Sequence, residues 1–478
     1  MLGSAAAAGT AIEPGLHGVH IGHEVQLFVD DALVDNRWGA RDPDEDVTRV
    51  VHRPLKHPAN PVVAGDGGYV SVLRDRDEGL FRMWYQAYWH QSSSPVRYTY
   101  ATAHAVSEDG IRWTLPRIGR HSFRGTHDNN IVMLGPSGGG AKGQCVLDLP
   151  VAHRRGFRFV QLYVSEEPGA EGMHLIGSHD GVTWDAEGDI LIAPGFVPDT
   201  QSTIVWDPQR GRFVCFTRAV NLYADGDSGP RRRIARMEHD ALWSTWPVNA
   251  ENILIPDEAD IARGYGRYYG MPVAYYAGMY WGFLWLYGAS EDIYTEITFS
   301  RDGRRFHRLA ARSPLLDRGP EGAWDHGMIF VSRWVEVGDE WRLYYSGADA
   351  DHRSWSATTG IGLALMRKEG FASLRSPAGG GVVVTRLLQW PGGGLHVNAD
   401  ARSGELRIGV TGYDRTPFPG LAASDCLPLS GDGVRQQATW RGSDIRALAG
   451  QRVRLEFHMA GGVDLYGFRA APDGAAPQ

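Results

Sequence analysis

Five short turn signatures recur along the chain at nearly even intervals: Ser107–Trp113, Ser178–Trp184, Glu238–Trp243, Ser300–Phe306 and Arg367–Phe371. Their acidic residues, Asp109, Asp180, Asp240, Asp302 and Glu369, stand 71, 60, 62 and 67 residues apart. A repeat that long, with strand-like sequence between the turns, specifies propeller blades, since one blade cannot bury its own faces and must stack on the next. Five repeats predict a five-bladed wheel with a central funnel. The third turn has Ala241 where the others have glycine, and the fifth has Glu369 where the others have aspartate, so these two are expected to turn differently.

Between the turns lie short apolar or alternating runs separated by charged or glycine-rich clusters, the pattern of strands in a sheet. Each unit carries one aromatic-rich run: Phe81–Tyr85, Arg158–Tyr163, Arg212–Phe216, Tyr280–Leu286 and Trp341–Tyr345. In this reading the units open at His57, Asn130, Ile190, Ile253 and Met328, and the aromatic run is the third strand of the first four. Helical periodicity is nearly absent. Past Ser373 the turn signature stops, while short strands such as Val382–Thr385, Leu406–Val410 and Val453–Phe457 continue among glycine-rich turns, which predicts a β-sandwich. The expected organisation is all-β: a flexible lead over 1–24, a five-bladed β-propeller with a preceding strand over 25–374, and a C-terminal β-sandwich over 375–478.

With 61 glycines and 51 aromatic residues among 478, the composition suits a turn-rich β-protein. A net charge of −8 without a basic stripe argues against a nucleic-acid partner. No apolar stretch reaches the length of a membrane span. The opening residues lack the basic and apolar regions of a secretory signal, from which a cytoplasmic location is expected, or a secreted one if a leader was trimmed. Cys145, Cys215 and Cys426 have neither pairing nor metal spacing and read as small buried hydrophobes. The three lysines among 48 basic residues read as codon bias. No cofactor motif is present, so none is expected, and the oligomeric state is not fixed by the sequence.

The wheel followed by a sandwich, with Ser-x-Asp-Gly-x-x-Trp turns at blade ends, resembles the furanosidase-type glycoside hydrolases of families 32 and 43. It is most similar to uncharacterised bacterial proteins described as like family 32. Segments similar to theirs are Leu27–Asp31, Asp199–Gln201, Tyr269–Val273, Trp324–Met328 and Asp464–Phe468. The resemblance implies a glycoside hydrolase acting on a small carbohydrate. The Asn-Asp-Pro-Asn-Gly and Glu-Cys signatures of family 32 are absent, so the resemblance carries architecture and no residue roles.

Glycoside hydrolysis needs two carboxyl groups facing each other across the sugar, and acids near the starts of the inner strands are placed to reach the funnel. Asp199 and Asp325 stand there, and Glu296, in an apolar run whose burial would raise its pKa, is the candidate acid. Gln201, Trp324, His326, Tyr268, Arg267, Trp89, His90 and Asp31 are candidates for holding the sugar, whose C–H faces pack on rings while its hydroxyls need polar anchors. Asp349–His352 has only a generic cation-binding spacing, and no metal is expected. Two alternatives remain open: a glycosidase fold repurposed for small-molecule biosynthesis, and a sugar-binding propeller without catalysis.

Overall fold

Each aromatic-rich run forms a strand with partners on both sides, and four strands make a blade. The computed structural model describes residues 18–40, 45–75, 77–91, 97–135, 140–218, 232–354 and 357–472. From the centre outward, blade 1 is Gly68–Asp75, Leu80–Gln91, Arg97–Ser107 and Ile131–Met133. Blade 2 is Lys142–Val146, Phe159–Ser165, Gly172–Ser178 and Trp184–Pro194. Blade 3 is Thr203–Asp207, Arg212–Arg218, Ile234–His239 and Glu251–Leu254. Blade 4 starts with the pair Arg267–Gly270 and Val273–Tyr276, followed by Met279–Tyr287, Ile293–Ser300 and His307–Arg308.

Blade 5 closes the ring. Its inner strands are Met328–Val337, Glu340–Ala348 and Thr359–Arg367, and its outer edge is supplied by Leu55–Lys56 and Val63–Gly65 from the start of the unit. This closure corrects the strand frame. The run ending at Val63 belongs to blade 5, and the runs at Asn130, Ile190 and Ile253 are the outer strands of the preceding blades. The aromatic run is therefore the second strand of every blade. Its rings face the neighbouring blades: Trp84 of blade 1 packs with Val146 and Phe159 of blade 2, and Tyr344 of blade 5 with Met83 and Ala103 of blade 1.

Strands within a blade run antiparallel. Hairpins between second and third strands therefore share one end of the wheel with the crossings between blades. All five turn signatures follow third strands and so lie at the opposite end. Asp109 accepts the Ile111 and Arg112 amides at 2.8 Å each, and Asp180 and Asp302 repeat the pattern. The glycines do two jobs. Gly110 and Gly181 adopt φ of 70° and 76°, and their carbonyls accept from Tyr344 and Trp84 of the preceding blade. The third turn has no positive φ at Ala241, and in the fifth Glu369 itself takes φ 62°, so both turn differently, as expected.

The chain divides into two units, 53–366 and the combination of 1–52 with 367–478. This moves the expected boundary, because residues 25–52 belong with the C-terminal β-sandwich. Gln26–Leu27 pairs with Arg452–Ala471, Val34–Gly39 with Gly381–Thr385, and Thr48–Val51 with Ala372–Arg375. The long antiparallel pair of Gly394–Thr411 and Arg452–Ala471 forms the backbone of this unit, and Phe28, Trp390, Phe457 and Phe468 lie in its core.

Candidate active site in the propeller funnel

At the crossing end the inner strands deliver polar side chains to the axis. Asp199 lies on the crossing into blade 3, with about half of its side chain (51%) open to solvent. Its two oxygens are held apart by different cations: Lys142 Nζ of blade 2 at 2.6 Å and an Arg218 guanidinium nitrogen of blade 3 at 2.9 Å. Burial opposes ionisation here, but Lys142 and Arg218 outweigh it and hold the Asp199 carboxyl below the usual aspartate range. Lys142 also donates to Glu166, on the hairpin after the second strand of blade 2, at 2.9 Å. One ammonium thus bridges two half-exposed carboxylates whose bonded oxygens lie no more than 5.5 Å apart, the two legs laid end to end.

Tyr69 ties the axis together. It sits at φ 46°, a conformation costly for a bulky side chain, where the inner strand of blade 1 breaks register between Gly68 and Ser71. The backbone twist frees its carbonyl to accept from Gln144 of blade 2 at 2.6 Å and Gln201 of blade 3 at 3.2 Å. Its ring reaches blade 4 and stacks on Trp285, centroids 5.7 Å apart and planes 4° from parallel. Burial, with Tyr269 and Asp199 nearby, pushes its hydroxyl pKa well up, so it serves as a neutral hydrogen-bonding group.

Tyr269 continues the wall. Its hydroxyl pairs with His352 Nε2 at 2.9 Å, and the other ring nitrogen of His352 pairs with the Tyr287 hydroxyl at 3.2 Å. Burial, and then Arg232, lower the His352 pKa, which favours the neutral ring. The guanidinium carbons of Arg218 and Arg232 lie 5.4 and 5.2 Å from the Tyr269 centroid. Those of Arg232 and Arg267 lie 4.9 and 3.8 Å from the Tyr287 centroid.

The structure gathers only part of the predicted set. Asp199 and Arg267 join this wall, and Arg267 pairs with Glu291 at 3.3 Å. Gln201 is buried behind it, bonding backbone carbonyls, with its own Oε1 unpaired. Tyr268 is a correction. Successive strand residues face opposite sides, so Tyr269 faces the funnel while the buried Tyr268 hydroxyl donates to Asp260 at 2.6 Å.

The expected carboxylate trio is also corrected. Asp325 is buried at 3% exposure, bonded to Lys56 at 2.5 Å and the Tyr345 hydroxyl at 3.0 Å, with Trp324 stacked on Tyr345. Glu296 lies in the third strand of blade 4 at 1% exposure, accepts from Tyr294 at 2.9 Å, and has Arg308 and Arg263 at 3.3 and 3.6 Å. Burial does raise its pKa, as expected. Among the described residues the three acids share no bonding partner.

His326 lines a separate cavity of about 380 Å³ with Arg263, Tyr265, Tyr294 and Arg318, and bonds the Gly319 carbonyl. Trp89 packs edge-on against Phe123, and His90 is half-buried at the end of the same strand. Asp31 belongs to the other unit, where it pairs with Arg49 at 2.6 Å. Both ring nitrogens of His352 are engaged by tyrosines, and no three His, Cys, Asp or Glu among the described residues form a metal-binding group.

The sequence reading passed over Lys142, Glu166, Arg218, Arg232 and Tyr269 as site residues. A usable signal was present: two of only three lysines, Lys56 and Lys142, turn out to hold Asp325 and Asp199.

The site is a polar, cation-rich funnel in a five-bladed propeller. No protein-family profile matches the chain, and no curated protein does. Among solved structures it is similar to a glycosyl hydrolase from Bacteroides ovatus, at 14% identity and TM-score 0.47, covering 69% of this chain and 96% of that one. It is similar to a family 43 arabinoxylan arabinofuranohydrolase from Bacillus subtilis in complex with cellotetraose, at 11% identity and TM-score 0.40, covering 88% and 99%. It is also similar to an N-acetylgalactosamine deacetylase from F. plautii in complex with blood group B trisaccharide, at 15% identity and TM-score 0.44, covering 68% and 96%. Likeness at this level reaches no residue of the site.

Proposed function

We propose that this protein is a carbohydrate-active enzyme that hydrolyses a glycoside in the propeller funnel. The observation that carries the reading is the pair Asp199 and Glu166 on either side of Lys142. Their bonded oxygens lie no more than 5.5 Å apart, closer than the gap of about 6.5–9.5 Å that admits a water, which favours direct attack on the sugar by a carboxylate. Asp199, kept ionised by Lys142 and Arg218, is the nucleophile, attacking the anomeric carbon as the glycosidic bond breaks. Glu166 is the second carboxyl group of the pair, the acid–base partner on the side of the leaving oxygen. The Tyr69 and Tyr269 hydroxyls hydrogen-bond the sugar, and their rings pack against its apolar faces.

One observation favours a second reading, binding without cleavage: the Lys142 ammonium occupies the gap between the two carboxylates. A panel of aryl furanosides and pyranosides separates them. Release of the aryl alcohol from at least one member supports hydrolysis; binding of sugars with no release from any member supports the second reading.

A further inference from the structure

Three guanidinium groups crowd the rings of Tyr269 and Tyr287, and two of them have carboxylate partners: Arg218 pairs with Asp199 and Arg267 with Glu291. Arg232, between them, has none among the described residues. Its Nη1 is shut off from solvent and has no hydrogen-bond partner among the described residues, while the residue as a whole is partly exposed. It enters the third strand of blade 3 from the hairpin end, the end at which Asp199 stands. Burial, then Arg218, and to a lesser degree Arg267, lower its pKa, as expected of a cation among cations.

A partly desolvated charge without a counter-charge is costly. Two tyrosine faces recover part of that cost, and an incoming anion would recover more. A planar guanidinium suits a carboxylate, which it can bind through two parallel hydrogen bonds. The Lys142 charge is already shared between Asp199 and Glu166, so among the described cations of this wall Arg232 is the one left for the ligand.

We infer that the funnel takes an acidic sugar, a uronate, whose carboxylate is received by Arg232 beside Tyr269 and Tyr287. The inference rests on reading the funnel as a sugar site and names the substrate class. Hydrolysis itself does not depend on it.

Titration calorimetry with D-glucuronate and D-galacturonate against D-glucose and D-galactose tests it. At least one uronate is expected to bind about ten-fold or more tightly than its neutral parent, the scale of a charged hydrogen bond. In Arg232→Gln that ratio should fall to near one, and in Arg232→Lys, which keeps the charge but loses the fork, to an intermediate value. Thermal melting confirms that each variant is folded. Equal binding of uronates and parents by the wild type, or a preference that survives Arg232→Gln, overturns the inference. Cleavage of neutral aryl glycosides without a uronate preference would leave hydrolysis standing and remove this inference; a uronate preference without cleavage of any glycoside would do the reverse.

Discussion

Asp199 and Lys142 meet at 2.6 Å across the gap between blades 2 and 3, and this contact sets the charge state of the site. Lys142 is the largest of the influences that lower the Asp199 pKa against its burial. Removing that charge must therefore raise it.

Lys142→Gln is expected to shift the acid limb of the pH–kcat/KM profile toward higher pH, because the carboxylate form of Asp199 is then lost sooner on acidification. Profiles of wild type and variant on the same aryl glycoside check this. Superimposable acid limbs would show that Asp199 does not govern them.

Glu296 is expected to govern stability rather than turnover. It is buried against Arg308 and Arg263, and Arg308 remains paired with Asp260 at 2.6 Å when Glu296 is neutralised. Glu296→Gln should cost about 1–3 kcal/mol with kcat within a few-fold of wild type. Burial raises the folded-state pKa above the ordinary glutamate value of 4.5, so the native state binds the extra proton and its stability falls as pH rises through the window above 4.5. The wild-type advantage over Glu296→Gln should be greatest at the acid end of that window and shrink upward, as read by urea denaturation at several pH values.

Tyr69→Ala removes the stack on Trp285 that joins blade 1 to blade 4. A loss of about 2–4 kcal/mol is expected, while Tyr69→Phe, which keeps the ring, should lose far less. Denaturation midpoints of the two variants decide it, and equal losses would mean that the hydroxyl, not the stack, matters.

The turn acids are expected to be scaffold. Asp302→Ala removes the acceptor for the Arg304 and Arg305 amides and should cost about 1–2 kcal/mol with kcat unchanged. A large fall in kcat with stability intact would place the turn at the site instead.

The fold was legible because blade geometry repeats. Ser-x-Asp-Gly after a third strand is a local rule, and the aromatic second strand follows from the same inter-blade packing each time. The frame slipped by one strand because ring closure borrows Leu55–Lys56 and Val63–Gly65 from the far end of the unit, a long-range pairing with no local signature. The site was half legible. Asp199 and Arg267 follow from counting to the inner strands. Tyr269 was missed for Tyr268 by one residue, and in a strand one residue reverses the face. Lys142 and Arg218 come from two different strands and Arg232 from just before a third, and they meet Asp199 or Tyr269 only in the assembled wheel, which no spacing along the chain announces.

The central claim is that the Asp199 carboxylate attacks the sugar, and azide rescue tests it most directly. On the aryl glycoside that the wild type cleaves best, folded Asp199→Ala should lose about 10²–10⁴-fold in kcat/KM. Added azide, entering the space the carboxylate leaves, should restore turnover and yield a glycosyl azide. Wild-type turnover in Asp199→Ala without azide would contradict the account.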